Sequence, residues 1–194
     1  LRGSNENDSW ELAMYRSEVE GFIHPEVIGF SRGLGIYQYQ NAENVEIQGI
    51  EFDYERSLTE QLSFNLAAAI SSGDLFEDNE KHPLPEIDPR ELILGLNWIP
   101  SDKFSLQAMF TLSSKSEDNL EEVCLNNECW PRIQTAGYSL LDLFASYIPN
   151  ENLEFRVAVE NVTDKKYLRW ASVSELPEND EELDLYGQNG RSIS

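Results

Sequence analysis

The chain has 194 residues, 40% of them hydrophobic, with 4 Trp, 8 Tyr and 9 Phe and a net charge of −22 from 36 acidic and 14 basic residues. Such a field repels phosphate backbones and excludes nucleic acid as an expected partner, while this many aromatics excludes a disordered, solvating tail. No apolar run reaches the roughly 18 residues of a membrane helix, which leaves alternating strands as the way to cross a bilayer.

A first strand is predicted near Trp10, with Leu12 and Met14 on the same face. A second runs from about Ile36 to Leu58 and carries Ile50, Phe52 and Tyr54 together, with Gly49 as a bulge or a point of close approach. Clear period-two alternation follows in Leu62–Ile70, Leu92–Trp98, Phe104–Leu112 and Leu153–Val159. Successive side chains of a strand point to opposite faces, so each segment has one apolar and one more polar face. Between them, Tyr138–Tyr147 groups Leu141, Leu143, Ala145 and Tyr147 against Asp142 and Ser146, and an eighth strand begins at Arg191.

The connections fall into two classes. Short polar turns are expected at Ser57–Gln61, Pro100–Lys103 and Pro149–Asn152, and long links at Phe22–Gly35, Gly73–Pro89, Ser114–Gly137 and Thr163–Gly190. They alternate strictly, which puts every long link at one end of an antiparallel sheet. Much of the acid is clustered in those links, at Glu77–Glu80, Glu117–Glu122 and Glu178–Asp184. Transmembrane barrels show this asymmetry, with short periplasmic turns and long external loops. A soluble two-sheet sandwich also alternates, and the pattern alone leaves it open. Long alternating runs, the loop asymmetry and inner faces poor in Lys favour the barrel. The apolar faces then meet lipid, with Phe64, Leu94, Leu106 and Val157 near its centre and Tyr54, Trp98, Phe104 and Tyr147 as an aromatic girdle near the short turns.

Candidate chemistry is sparse. His24 and His82, the two histidines, fall on long links, where a solvated imidazole is the simpler reading than an iron ligand. Cys124 and Cys129 enclose four residues in one link, which suits a disulfide in an oxidising compartment; half of a metal site is the alternative, without a second pair to complete it. No nucleophile elbow, phosphate loop or zinc spacing occurs, so no catalytic residue and no metal ligand is assigned. A secreted hydrolase working through carboxylates such as Glu51 and Asp53 has nothing further to support it.

Five landmarks occur in order. They are Asn44-Val-Glu-Ile-Gln-Gly-Ile-Glu51, His82-Pro-Leu-Pro-Glu-Ile-Asp-Pro-Arg90, Gly137-Tyr-Ser-Leu-Leu-Asp-Leu143, the spacing Asn161, Asp164, Tyr167, and Gly190-Arg191. Together they resemble the C-terminal barrel portion of TonB-dependent outer-membrane receptors. The last link, with Tyr167-Leu-Arg-Trp-Ala-Ser-Val173, Leu183-Asp-Leu-Tyr186 and Gln188-Asn-Gly-Arg191, resembles the haem and haemoglobin branch, although Asn189 stands where that branch usually has proline.

The resemblance implies an all-β fold: an antiparallel transmembrane barrel segment of about eight strands out of about 22, its last strand truncated. Residues 1–194 would be the C-terminal part of the barrel, with the N-terminal plug domain outside the sequence. It implies a receptor in the Gram-negative outer membrane for an iron compound, haem or a haem protein, with a siderophore receptor of the same family as the alternative. It is no enzyme on this reading, and the segment alone binds no cofactor, haem being cargo. Expected partners are membrane lipid and lipopolysaccharide, TonB through the N-terminal part, and the haem or haem protein. Trp170, Leu176 and Tyr186 are the expected external ligand contacts.

Overall fold

The computed structural model describes residues 1–31, 34–41, 44–77, 80–116, 123–125, 128–174, 176, 178 and 183–194. Its strands are β1 (Arg2–Ser4), β2 (Asp8–Glu20), β3 (Ile23–Ser31), β4 (Leu34–Asn41), β5 (Asn44–Ser57), β6 (Leu62–Glu77), β7 (Glu80–Pro83), β8 (Glu91–Ser101), β9 (Phe104–Ser113), β10 (Val123–Leu125), β11 (Glu128–Trp130), β12 (Tyr138–Asn150), β13 (Leu153–Glu160) and β14 (Ser192–Ile193). A single helical turn, α1 (Trp170–Val173), and a 3-10 turn at Leu183–Tyr186 lie in the last link. One antiparallel sheet runs β1-β2-β5-β6-β8-β9-β12-β13-β14, with β7 added to the upper part of β6. Two hairpins, β3–β4 and β10–β11, stand apart from it.

Register shows how the alternation is used. Trp10, Tyr54, Leu66, Leu94, Phe110 and Leu141 are successive cross-strand partners and form one row on one face. The adjacent row, Glu11, Asp53, Ala67, Ile93, Thr111 and Leu140, points the other way. The apolar face has no covering layer among the described residues: Met14 is 68% exposed, Ile50 47%, Ile70 51% and Val157 51%. A sandwich would bury this face against a second sheet. Its exposure over many strands fits a wall against lipid.

The short turns cluster at one end. Ser57 N–H donates to Asn7 O (2.8 Å) and Ile148 N–H to Lys103 O (2.8 Å), joining neighbouring turns. Here the predicted girdle assembles. Trp98 meets Phe104 edge-on with centroids 6.5 Å apart, Phe104 pairs with Tyr147, and Tyr147 with Phe155. Tyr54 lies 6.5 Å from Phe64 and donates its hydroxyl to Asp8 Oδ1 (2.5 Å), while Arg56 lies 3.6 Å from the same oxygen. Phe64, opposite Arg56, therefore sits toward the rim of the apolar band, whereas Leu94, between Leu66 and Phe110, keeps apolar partners on both sides.

Several expectations need correction. The strand predicted over Ile36–Leu58 is two: β4 pairs with β3 in its own hairpin, and β5 enters the wall at Asn44. The link expected at Phe22–Gly35 thus contains β3. A hairpin arm that prolongs a wall strand keeps the same period, so alternation cannot show where the partner changes. β1, three residues long, is too short to display a period, and the last strand begins at Ser192 rather than Arg191. Gly49 is no bulge, since its pairing with Tyr15 and Ser71 is unbroken. It is a close-approach point: a Cβ there would lie 2.5 Å from the Tyr15 hydroxyl, which folds across the glycine. Register shifts occur instead between Trp98 and Ser101 and between Tyr147 and Asn150, beside the short turns.

Candidate functional site

The buried side chains gather at the long-link end. Val45, Leu75 and Leu84 form one small core with Phe22, Ile47 and Ile87 around it. Val45 and Leu75 are cross-strand partners on the inner face, and a Cβ on Gly73 would lie 2.7 Å from Ile87. The β6–β8 link is therefore folded inward over β5 and β6. A second core joins Ile133, Val173 and Leu176, with Leu168, Leu183 and Tyr186 packed against it, and so ties the β9–β12 link to the β13–β14 link.

The residues of the Asn161 and Gly190 landmarks come together as a clasp. Asn161 (φ 50°) and Asp164 (φ 55°) both occupy the left-handed region that Asn and Asp tolerate best. The buried Asn161 amide donates to Lys165 O (2.9 Å) and Asn189 O (3.3 Å), and its oxygen accepts from Lys165 N–H (2.9 Å). Asp164 Oδ1 accepts from Arg191 N–H (2.9 Å) and would lie 2.5 Å from any Cβ at position 190, so only glycine leaves the carboxylate its place. Asn161 N–H donates to Asp142 Oδ1 (2.6 Å), which anchors the clasp to β12. Tyr167 lies against Tyr138 with centroids 4.3 Å apart, and its carbonyl accepts from Gln188 N–H (3.0 Å). Burial pushes the Tyr167 phenol above its ordinary pKa. The clasp joins both ends of a link of about 30 residues and delivers β14 to β13.

A family model described as the β-barrel of TonB dependent receptor-like proteins matches residues 1–162. The chain belongs to the TonB-dependent receptor family. These are outer-membrane proteins of Gram-negative bacteria. Among its relatives, the ferric enterobactin receptor PirA of Pseudomonas aeruginosa is 30% identical over 71% of this chain and 18% of its own length. The hemoglobin-haptoglobin-binding protein A of Haemophilus influenzae is 26% identical over 72% of this chain and 14% of its own length. The hemoglobin-haptoglobin utilization protein B of Neisseria meningitidis is 23% identical over 92% of this chain and 25% of its own length. The chain thus spans a quarter or less of these relatives. In fold it is similar to the copper transporter OprC, with a TM-score of 0.80, 18% identity and coverage of 99% of this chain and 29% of that one.

In this TonB-dependent receptor chain the other expected site residues are dispersed. Trp170 is 5% exposed and donates its indole N–H to Pro85 O (2.9 Å), bracing the last link against the β6–β8 link. Leu176 is buried in the second core and Tyr186 rests on it. Trp170 and Leu176 are thus buried between the links, and among the described residues of the last link Leu185 is the exposed large hydrophobic side chain. The motif signal of an aromatic-rich link was legible, but which residue turns inward depends on packing between links. His24 lies in β3 opposite Gln40 and His82 in β7 opposite Leu75, in different sheets. Cys124 and Cys129 are directly opposed in the β10–β11 hairpin, and such partners have the Cα separation a disulfide needs. Among the described residues no group of three metal-ligating side chains occurs.

Two features escaped the sequence reading. Asp142, on the inner face of β12, is the anchor of the clasp, and nothing in its strand pattern marks it. A cavity of about 430 Å³ opens where three long links meet, with Arg90, Lys115 and Trp170 in its lining.

Proposed function

We propose that this chain supplies the C-terminal wall and external links of a receptor that takes up an iron compound, with haem or a haem protein as the cargo. The observation that carries the receptor reading is the wall itself: an antiparallel sheet with an outward apolar band, aromatics at its short-turn rim and braced links at the other end. The haem cargo is supported by relatives from two genera, one named for binding hemoglobin-haptoglobin and one for its utilization. A ferric siderophore is the second reading, favoured by the relative named for ferric enterobactin.

On this reading the segment holds no cofactor of its own, lipid and lipopolysaccharide surround the outward face, and energy reaches the receptor through TonB at its N-terminal part. The Cys124–Cys129 disulfide stiffens a link tip, and neither His24 nor His82 ligates the iron. The test is growth of a strain whose only such receptor is the full-length protein containing this chain, on haem, hemoglobin or ferric enterobactin as sole iron source. Growth on haem and hemoglobin is expected, and it persists in the His24→Ala, His82→Ala double variant. Growth on ferric enterobactin alone replaces the cargo, and loss of haem use by a surface-expressed double variant overturns the histidine assignment.

A further inference from the structure

The β3–β4 hairpin carries the β2–β5 pair outward in one register: Glu20 faces Asn44 and, further along, Ile23 faces Asn41. The lipid side of the wall ends below it. Arg16 reaches Glu18 (3.5 Å) and Glu46 (2.9 Å), and Lys81 reaches Asp74 (3.0 Å), so ion pairs replace the apolar band there. Pro25, the partner of Tyr39, lies beyond Glu18 by about 20 Å of strand, at roughly 3.3 Å per residue. Tyr39 is nevertheless 76% exposed, Ile23 60% and Tyr37 40%, all three on one face of the hairpin. These side chains meet water rather than lipid, and apolar surface grouped in water marks a place of contact.

The two strands treat their outer edges differently. β3 contains Pro25, which has no N–H, and a register shift between Val27 and Gly29, and it lies beside β10. Proline and bulges blunt an edge against further pairing. β4 has neither, and Leu34–Asn41 holds no charged residue in a chain of which 26% is charged. Among the described elements β4 lies close to β3 alone. It leads into β5, whose other neighbour, β6, reaches only Phe76 opposite Asn44 before ending at Glu77, so the wall stops short of this edge. One side of β4 therefore presents backbone N–H and C=O groups that no strand takes up among the described residues.

We propose that the outer edge of β4 takes an extended segment of a protein cargo as a third strand, with Tyr37 and Tyr39 packing on its side chains. Such an edge fits a polypeptide and little else: the ladder bonds every second residue of the guest, and tyrosines add rigid contact area at low entropic cost. Charge narrows the guest further. A chain with 36 acidic and 14 basic residues repels an acidic segment, so the uncharged edge takes one free of carboxylates. The inference deepens the haem-protein reading above and rests on it. Free haem offers no strand and does not use this edge.

The test uses the purified full-length receptor and three probes: the hemoglobin–haptoglobin complex, ferric protoporphyrin and ferric enterobactin. The protein complex should slow hydrogen exchange of the amides of residues 34–41, and ferric protoporphyrin should not. Tyr39→Glu should bind the complex about tenfold more weakly, as expected for an anchoring aromatic, with unchanged affinity for ferric protoporphyrin. Tyr39→Phe should bind both as the wild type does. Unchanged binding of the complex by Tyr39→Glu, or unprotected β4 amides in the complex, overturns the proposal. So does an equal loss on complex and porphyrin, because the hairpin would then serve the fold of the receptor. Protection of β4 without ligand, lost in Tyr39→Glu together with self-association, assigns the edge to a second copy and overturns it as well. A wild type that binds ferric protoporphyrin or ferric enterobactin but not the complex overturns the proposal and leaves the uptake reading standing. A wild type that binds none of the three overturns both.

Discussion

The wall and the links of this chain use hydrophobic residues in opposite ways. In the wall, Met14, Ile70 and Val157 are half or more exposed and have no layer over them among the described residues. In the links, Val45 and Val173 are at 0% and 1% exposure inside cores of a few residues. Lipid completes the first arrangement, so the strands hold together through their hydrogen-bond ladder and need only stay apolar outside. The links face water, and each must close a small core and satisfy its own backbone. The wall should therefore respond to charge and the links to loss of volume.

The largest effect is expected from a charge at the middle of the band. Leu94→Arg in the lipid-reconstituted full-length receptor should cost about 2–4 kcal/mol, the range for a cation at the centre of a barrel's lipid face. Leu94→Ala should cost less, because acyl chains fill the space that a protein interior would leave empty. Denaturant unfolding in bilayers checks both, and equal losses would mean that Leu94 is packed against protein.

Next comes the clasp. Asn161→Ala leaves the Lys165 and Asn189 carbonyls and the Lys165 N–H without their partner and puts alanine at φ 50°. A cost of about 1–3 kcal/mol is expected for the orphaned groups. The loss should appear as exchange of the β14 amides, with β5 to β9 unchanged. Gly190→Ala should give the same local pattern, since its Cβ would displace the Asp164 carboxylate from Arg191 N–H. Uniform exchange across the wall in either variant would show that the clasp is not a local device.

How much of this was legible follows from the same contrast. Alternation from Leu62 to Val159 gave the wall strands and their facing, because lipid and lumen impose a strict period of two along each strand. The links obey no period. Sequence alone does not separate β3 from a loop or β4 from β5, nor mark Trp170 and Leu176 as buried, because inward or outward there is decided by contacts between links far apart in sequence. The landmark residues Asn161, Asp164, Tyr167, Gly190 and Arg191 were identifiable by spacing. Their work as a clasp was not, since it requires the positive φ angles and the Asp142 anchor.

A smaller effect is expected from truncating a link core. Val173→Ala should cost about 1–2 kcal/mol, at roughly 0.8 per buried methylene-sized group. The loss should stay within the links, raising protease cleavage in the β9–β12 and β13–β14 links while the wall's melting is unchanged. A drop in the melting of the whole barrel would mean that the second core braces the wall too.

The smallest effect concerns the Tyr167 ring. Burial raises its pKa above the ordinary value of 10.0, so the folded clasp holds the phenol proton more tightly than the unfolded link does. Where folded protein binds more protons than unfolded, stability falls as pH rises. The contribution is thus complete below pH 10 and is lost as pH climbs through the raised folded value. Only the region around Tyr138, Tyr167 and Gln188 should loosen, because the stack and the Gln188 bond are the contacts that the charged ring disturbs. Ultraviolet titration of the phenolate, compared with Tyr167→Phe, isolates this group. The wild type should show a tyrosine ionising above the ordinary value of 10.0, and its amide exchange near Gln188 should rise over the same interval. Tyr167→Phe keeps the stacked ring without the ionisable proton, so it should abolish both the late step and the rise. A late step that survives in Tyr167→Phe would assign the perturbed phenol to another residue.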